Sequence, residues 1–299
     1  PPRRPGPSPA SPGTPPMTDP AYETIRCETP AEGVARITLA RPEMRNAQNE
    51  ALLYELDAAF DRAAHDTAVK VIILAGDGPH FSSGHDLSGA RDMTRFTPVT
   101  SWGGAAAEEP GVAGRQAREE EIYLGFCRRW RDLPKPTIAQ VQGKAIAGGL
   151  MLVAVCDLVV ASEDAQFSDP TVAFGVNGVE WFSHPWDFGI RKAKELLFTG
   201  APFSAAQAEK MGFVNRVVPR ADLAAETLAL ASRIAQRPAF GLRLAKQAVN
   251  QAQDAQGFQT VQAAAMSLHQ MGHAHNEIVH GMLVDPKGAE IIRREAKAK

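Results

Sequence analysis

Residues 134–170, PKPTIAQVQGKAIAGGLMLVAVCDLVVASEDAQFSDP, constrain this chain more than any other stretch. They read as a strand running into a helix whose first turn, at Ala147-Gly148-Gly149, is nearly bare backbone. The first amides of a helix have no acceptor within it, and without bulky side chains a substrate oxygen can approach them closely. Donors aimed in this way can stabilise an oxyanion. The alternative reading is that small residues here only let the helix pack close to the sheet.

The surrounding pattern is that of an α/β protein. Val34–Leu39 alternates apolar and polar residues, Asn49–Ala64 places Leu52, Leu53, Leu56, Phe60 and Ala63 on one helical face, and Val71–Ala75 is a continuous apolar strand. Residues 88–117 break this rhythm and read as a long surface insertion near the site. A helical pattern resumes over 118–133, and strands are expected at 138–141, 157–161 and 214–218. Ser204 with Gln207 signals a capping box and Gly212 a helix end, after which 222–236, 238–252, 258–274 and 287–298 are helical. No internal repeat is visible.

These patterns divide the chain into a disordered extension at 1–20, an α/β core at 21–203 and a helical C-terminal region at 204–299. The extension holds nine of the 22 prolines and almost no large apolar side chains, so it cannot pack a core. Met17 is the expected start, with residues 1–16 an upstream extension or an artefact of start-site choice; a transit peptide is the weaker alternative, because so many prolines prevent an amphipathic helix. A net charge of −2 supplies no field for nucleic acid or an anionic membrane, and no apolar run approaches a membrane span. Three widely spaced cysteines argue against a disulfide framework or a thiol metal site and fit a cytoplasmic setting.

A second element shifts the balance toward the oxyanion reading. Phe81-Ser82-Ser83-Gly84-His85-Asp86-Leu87 follows the apolar strand after a Gly-Asp-Gly-Pro turn and can present the His85 amide to the same oxygen. One correctly aimed donor is worth about 2.7–4 kcal/mol of transition-state stabilisation. Gly76-Asp77-Gly78-Pro79 lacks the third glycine of a dinucleotide turn, and Ser82-Ser83-Gly84 lacks the spacing of a nucleophile elbow.

RPEMRNAQN at 41–49, FSSGHDL at 81–87, and KPTIAQVQGKAIAGG at 135–149 with CDLVVASEDAQFSDP at 156–170 together resemble the enoyl-CoA hydratase/isomerase, or crotonase, superfamily. The likeness spans roughly residues 25–295, with the motifs in the family's order. It implies a crotonase-like spiral of ββα units, a helical C-terminal trimerisation region, a homotrimer or dimer of trimers, and an acyl-CoA thioester as substrate. Coenzyme A is then part of the substrate, and no further cofactor or metal is implied. The thioester carbonyl would accept from the amides of His85 and Gly148. Ser83, Gly84, Asp86 and Leu87 would line the coenzyme A groove, with Met44 and Arg45 at the same end and Met151 and Thr171 along the acyl site.

Met151 and Thr171 are also where the sequence departs from its relatives. Hydratases of the family carry glutamates at these two positions, and neither replacement exchanges a proton near neutral pH. Glu180, one residue out of register with an aspartate of other branches, is the first candidate for acid/base work, and Asp169 the second. The alternative for Glu180 is a solvated acid at the N-terminus of the helix it precedes. The expected reaction is hydration or isomerisation of an enoyl-CoA. Decarboxylation, thioester hydrolysis and acyl-CoA binding without chemistry are the alternatives.

The His85 ring is expected to fill space, and His184 to pack among aromatics. His269, His273, His275 and His280 show irregular spacing and no acidic or thiol partner, so no metal site is expected there. Asp86 and Asp157 are expected to cap backbone amides.

Overall fold

Two apolar runs set the frame. β1 (Ile25–Ala31) turns back on β2 (Val34–Leu39), which pairs in parallel with β3 (Val71–Gly76), from Val34 opposite Val71 to Leu39 opposite Gly76. Every residue of β3 is buried, as a central parallel strand requires. Between β2 and β3 runs α1 (Glu50–His65), started by Asn49, whose side chain accepts from the Leu52 amide. Its Leu52, Leu53, Leu56, Phe60 and Ala63 pack against the sheet. The computed structural model describes residues 21–88 and 92–297; the extension expected at 1–20 lies outside the described residues.

After β3 the chain forms α2 (Gly111–Glu119), a π-helical segment at Glu120–Gly125 and α3 (Phe126–Arg131). It continues through β4 (Thr137–Val141), β5 (Lys144–Ile146), α4 (Gly148–Ala154), β6 (Leu158–Ser162) and β7 (Gln166–Ser168). Then come α5 (His184–Phe188), α6 (Ile190–Thr199), β8 (Phe203–Ser204), α7 (Ala205–Met211) and β9 (Arg216–Val218). Four helices finish it: α8 (Leu223–Ala235), α9 (Ala239–Ala255), α10 (Phe258–His280) and α11 (Gly288–Lys297).

A six-stranded sheet has the order β1-β2-β3-β4-β6-β9, and a small sheet the order β5-β7-β8. Single bridges extend the small sheet's layer, Ser82 to Ala145 and Gln48 to His85. The chain thus alternates between layers: β3 then Ser82, β4 then β5, β6 then β7. This is a spiral of ββα turns, and both site motifs lie where the chain leaves the small layer.

Two boundaries differ from expectation. Helix begins at Gly111 rather than 118, and Met93 and Ala107 are buried, so the segment after β3 is partly core and not wholly a surface insertion. The core also continues past residue 203. β9 pairs with β6, and Leu223, Leu230, Ala231 and Ala235 of α8 pack on Val34, Val71, Ile73 and Ile138. Among the described residues no helix is long and apolar enough to cross a membrane.

Candidate active site

The two backbone elements meet. Ser82 bonds to β5 on one side, its amide to Lys144 O at 3.1 Å and its carbonyl to the Ile146 amide at 3.1 Å. The Ser83 amide turns the other way, to Arg45 O at 3.0 Å. Farther along, the Gln48 amide donates to Gly84 O and the Asp86 amide to Gln48 O, both at 2.8 Å. In a parallel bridge of this pattern the middle residue, His85, directs its own N–H and C=O away from Gln48. Gly84, with φ +95°, makes the swing possible, and a Cβ there would lie 3.2 Å from the Gly148 nitrogen and 2.8 Å from Ile146 O.

Gly148 opens α4 behind Ala147, which holds φ 50° and ψ −114°. That conformation is strained for a residue with a Cβ, and the Ala147 amide is anchored to Ser168 O at 2.9 Å. The Ala147 carbonyl accepts the first helical bond, from Met151, so the Gly148 amide belongs to the first turn, where no intrahelical acceptor exists. A side chain at 148 is impossible without rearrangement, because a Cβ would lie 2.4 Å from the His85 ring and 2.8 Å from Gln48 Oε1.

The His85 ring therefore stands directly over Gly148, beside Tyr123 at 3.9 Å between ring centroids. Its Nε2 lies 3.5 Å from Glu180 Oε2. Glu180 is 6% exposed, so the solvated alternative for this acid is corrected: it is buried beside the glycine junction. Burial pushes the neighbouring Cys127 thiol well up, and the Glu180 charge adds to the rise, which leaves it a neutral filler.

Glu180 sits on an irregular loop, and α10 holds that loop in place. Asn276 donates to Phe174 O at 2.9 Å, His269 Nδ1 meets Gly178 O at 2.8 Å, Asn177 donates to Ala265 O at 3.2 Å, and the Phe182 amide donates to Gln262 Oε1 at 2.9 Å. These contacts explain why the buried face of α10 is polar. His269 and His273 also approach Glu119, at 3.9 and 3.8 Å. The expectation that these histidines have no acidic partner is overturned, because α2 carries a glutamate far away in sequence to the same spot.

Asp169, the second acid/base candidate, is engaged on both oxygens. Oδ1 accepts from the Thr171 amide at 3.1 Å and its hydroxyl at 2.6 Å; Oδ2 accepts from the Val179 amide at 3.0 Å and lies 2.9 Å from His184 Nε2. Burial alone would raise this carboxyl, but the His184 ring, Thr171 and the Val179 amide together hold it below the usual range. It acts as a turn anchor. Met151 is fully buried in α4 and Thr171 directs its hydroxyl to Asp169.

Met44, at the end of a 3-10 turn, and Leu87 are exposed, on the two segments joined by the Ser83–Arg45 and Gln48–His85 pairing. Arg45 occupies the left-handed region at φ 54°. Asp86 ties these segments together by pairing with Arg41 at 3.1 Å, and its carboxyl is held down first by the Ser88 hydroxyl and amide and then by Arg41. Asp157 accepts from the Thr137 amide at 2.7 Å and pairs with Lys246 at 2.8 Å. Tyr123, Glu119 and Gln48 are site neighbours that sequence reasoning missed. The available signal was the spacing of His269 and His273, four residues apart on one face of a helix.

A spiral of ββα turns with two convergent strand-to-helix junctions, one bearing a bare glycine amide, defines the crotonase class of fold. A sequence model of the enoyl-CoA hydratase/isomerase family matches residues 29–284, and the chain belongs to that family. It is 45% identical over 269 residues to the Mycobacterium tuberculosis protein named "Putative enoyl-CoA hydratase EchA13", covering 88% of this chain and 85% of that one. Among solved structures, a probable enoyl-CoA hydratase from Mycobacterium smegmatis shares 47% identity at a TM-score of 0.79, covering 87% of this chain and 99% of that one. An enoyl-CoA hydratase/isomerase from Xanthobacter autotrophicus Py2 shares 33% identity at a TM-score of 0.76, covering 92% and 94%.

Proposed function

We propose that this chain transforms an acyl-CoA thioester by stabilising its enolate between the amides of His85 and Gly148, with Glu180 as the single acid/base. The observation that carries the reading is the convergence over Gly148. The backbone of His85 is turned away from Gln48, the ring of His85 covers the glycine, and a buried carboxylate lies 3.5 Å from that ring. In isomerisation, Glu180 takes a proton from the carbon next to the thioester, the electron pair moves onto the carbonyl oxygen, and the same carboxyl returns the proton two carbons farther along. In hydration, Glu180 takes a proton from water as its oxygen bonds to the β carbon, and the α carbon is then protonated. With Met151 and Thr171 in place of the usual glutamates, a one-carboxylate shuttle is the chemistry the residues favour.

The groove between Met44-Arg45 and Ser83–Leu87 takes the coenzyme A portion, and the assembly is a homotrimer or dimer of trimers. Turnover of 2-enoyl-CoA and 3-enoyl-CoA substrates tests the reading. Glu180→Gln is expected to lower kcat by about 10²–10⁴-fold with KM little changed. Equal activity of variant and parent removes Glu180 from the mechanism. Binding of CoA esters without turnover of either substrate favours a binding protein.

A further inference from the structure

His269 and His273 stand four residues apart on the buried face of α10, and their Nε2 atoms meet at 3.0 Å. The other nitrogen of each ring is already committed: His269 Nδ1 lies 2.8 Å from Gly178 O, and His273 Nδ1 lies 2.7 Å from Leu283 O. A carbonyl oxygen only accepts, so both Nδ1 atoms carry hydrogen, an assignment made from the bonding partners. Two neutral rings would then turn their remaining lone pairs toward each other at hydrogen-bond distance. An additional proton between the two Nε2 atoms converts that repulsion into an N–H···N bond. The pair carries one positive charge.

That charge sits among buried acids. Glu119 on α2 comes within 3.9 Å of His269 Nε2 and 3.8 Å of His273 Nε2, and Glu180 Oε1 lies 3.5 Å from His269 Nε2. Arg115 pairs with Glu277 at 2.7 Å and reaches Glu119 only through Gln270, while His85 faces the far oxygen of Glu180 at 3.5 Å. A buried carboxylate without a cation is costly, and the imidazole pair supplies one. His269 is the ring of the pair that faces Glu180 Oε1, at 3.5 Å, so the charge is placed on His269 with His273 as its acceptor.

We infer that His269, charged by the proton it shares with His273, is a positioning residue that holds Glu180 ionised and fixed between its own ring and that of His85. The inference rests on Glu180 being the acid/base of the proposed reaction. A metal ion held by Glu119, His269 and His273 is the competing account. It would set the two nitrogens about 3.3 Å apart, at roughly 2.05 Å from the ion, and draw in the carboxylate.

The test is NMR and kinetics on the full chain. The parent is expected to show a downfield N–H resonance that His273→Gln abolishes. The same substitution should move the titration of the Glu180 side-chain carboxyl, followed by its ¹³C shift, upward by about one pH unit. The acidic limb of kcat should move with it while KM stays within twofold. The inference is overturned if the parent lacks the resonance between pH 5 and 8, if the Glu180 titration is the same in both proteins, or if the purified parent holds a stoichiometric transition metal. Should His273→Gln fail to fold, the parent's resonance and metal content still decide. A moved carboxyl titration in a protein that turns over no acyl-CoA would overturn the proposed function and leave the ion pair standing.

Discussion

Asp169 shows how a carboxylate next to the proposed acid/base can be structural. Both of its oxygens are occupied by Thr171, the Val179 amide and His184, and those contacts close the turn that leads to Glu180. Its carboxyl is held below the ordinary value near 3.9. A group depressed in the fold contributes stability above the unfolded value, and that contribution fades as pH falls from about 4 through the folded value. Asp169→Asn should therefore cost about 1–3 kcal/mol at pH 7, the usual penalty for leaving buried donors short of an acceptor, and less at an acidic pH below the ordinary carboxylate value. Urea unfolding midpoints at the two pH values check this, and an equal gap at both would show that the charge is not what stabilises the turn. At this scale the sequence is informative where backbone geometry demands a residue type. Gly84 and Gly148 were legible because any side chain would collide, whereas the burial of Glu180 depends on α10, which lies some eighty residues farther along the chain.

At the level of elements, α10 is the scaffold of the site. Its polar buried face follows helical spacing, Gln262, His269, Gln270, His273 and Asn276, and three of these side chains bond the backbone of residues 174–182. Asn276→Ala would leave Phe174 O and Leu283 O without its amide, at a cost of about 1–3 kcal/mol. The loop bearing Glu180 should then exchange its amide hydrogens faster and kcat should fall with little change in KM. Unchanged exchange over 174–182 would show that the loop holds itself. The helix was expected from its periodicity, but its task was hidden because polar residues on a buried face read as a solvated one. The start of α2 was hidden for another reason: Gly111 and Gly114 weaken local helical preference. Gly114 is required by packing, since a Cβ there would lie 1.8 Å from Glu109 O.

Across the whole molecule, the spiral repeats a strand, a short second-layer strand and a helix, yet the connections differ so much in length that no repeat is visible in the sequence. The turns pack on one another to form the core, and the helices at the end of the chain leave apolar side chains uncovered. Phe240 and Val249 on α9, Phe198 on α6, and Met271 and Ile278 on α10 are each at least 65% exposed. Single exposed apolar residues are ordinary, but large ones recurring on three helices fit a surface made for other copies of the chain. α9 has an opposite character on its inner side, where Lys246 pairs with Asp157, and Asp254 with Arg131. A stable interface between subunits hides on the order of 1,600 Å², and removing two anchors from it should matter. Sedimentation is expected to give a trimer or hexamer for the parent chain, and Phe240→Asp with Ile278→Asp should shift it toward the monomer while its circular dichroism is kept. A parent that sediments as a monomer at micromolar concentration would leave these faces for a different partner.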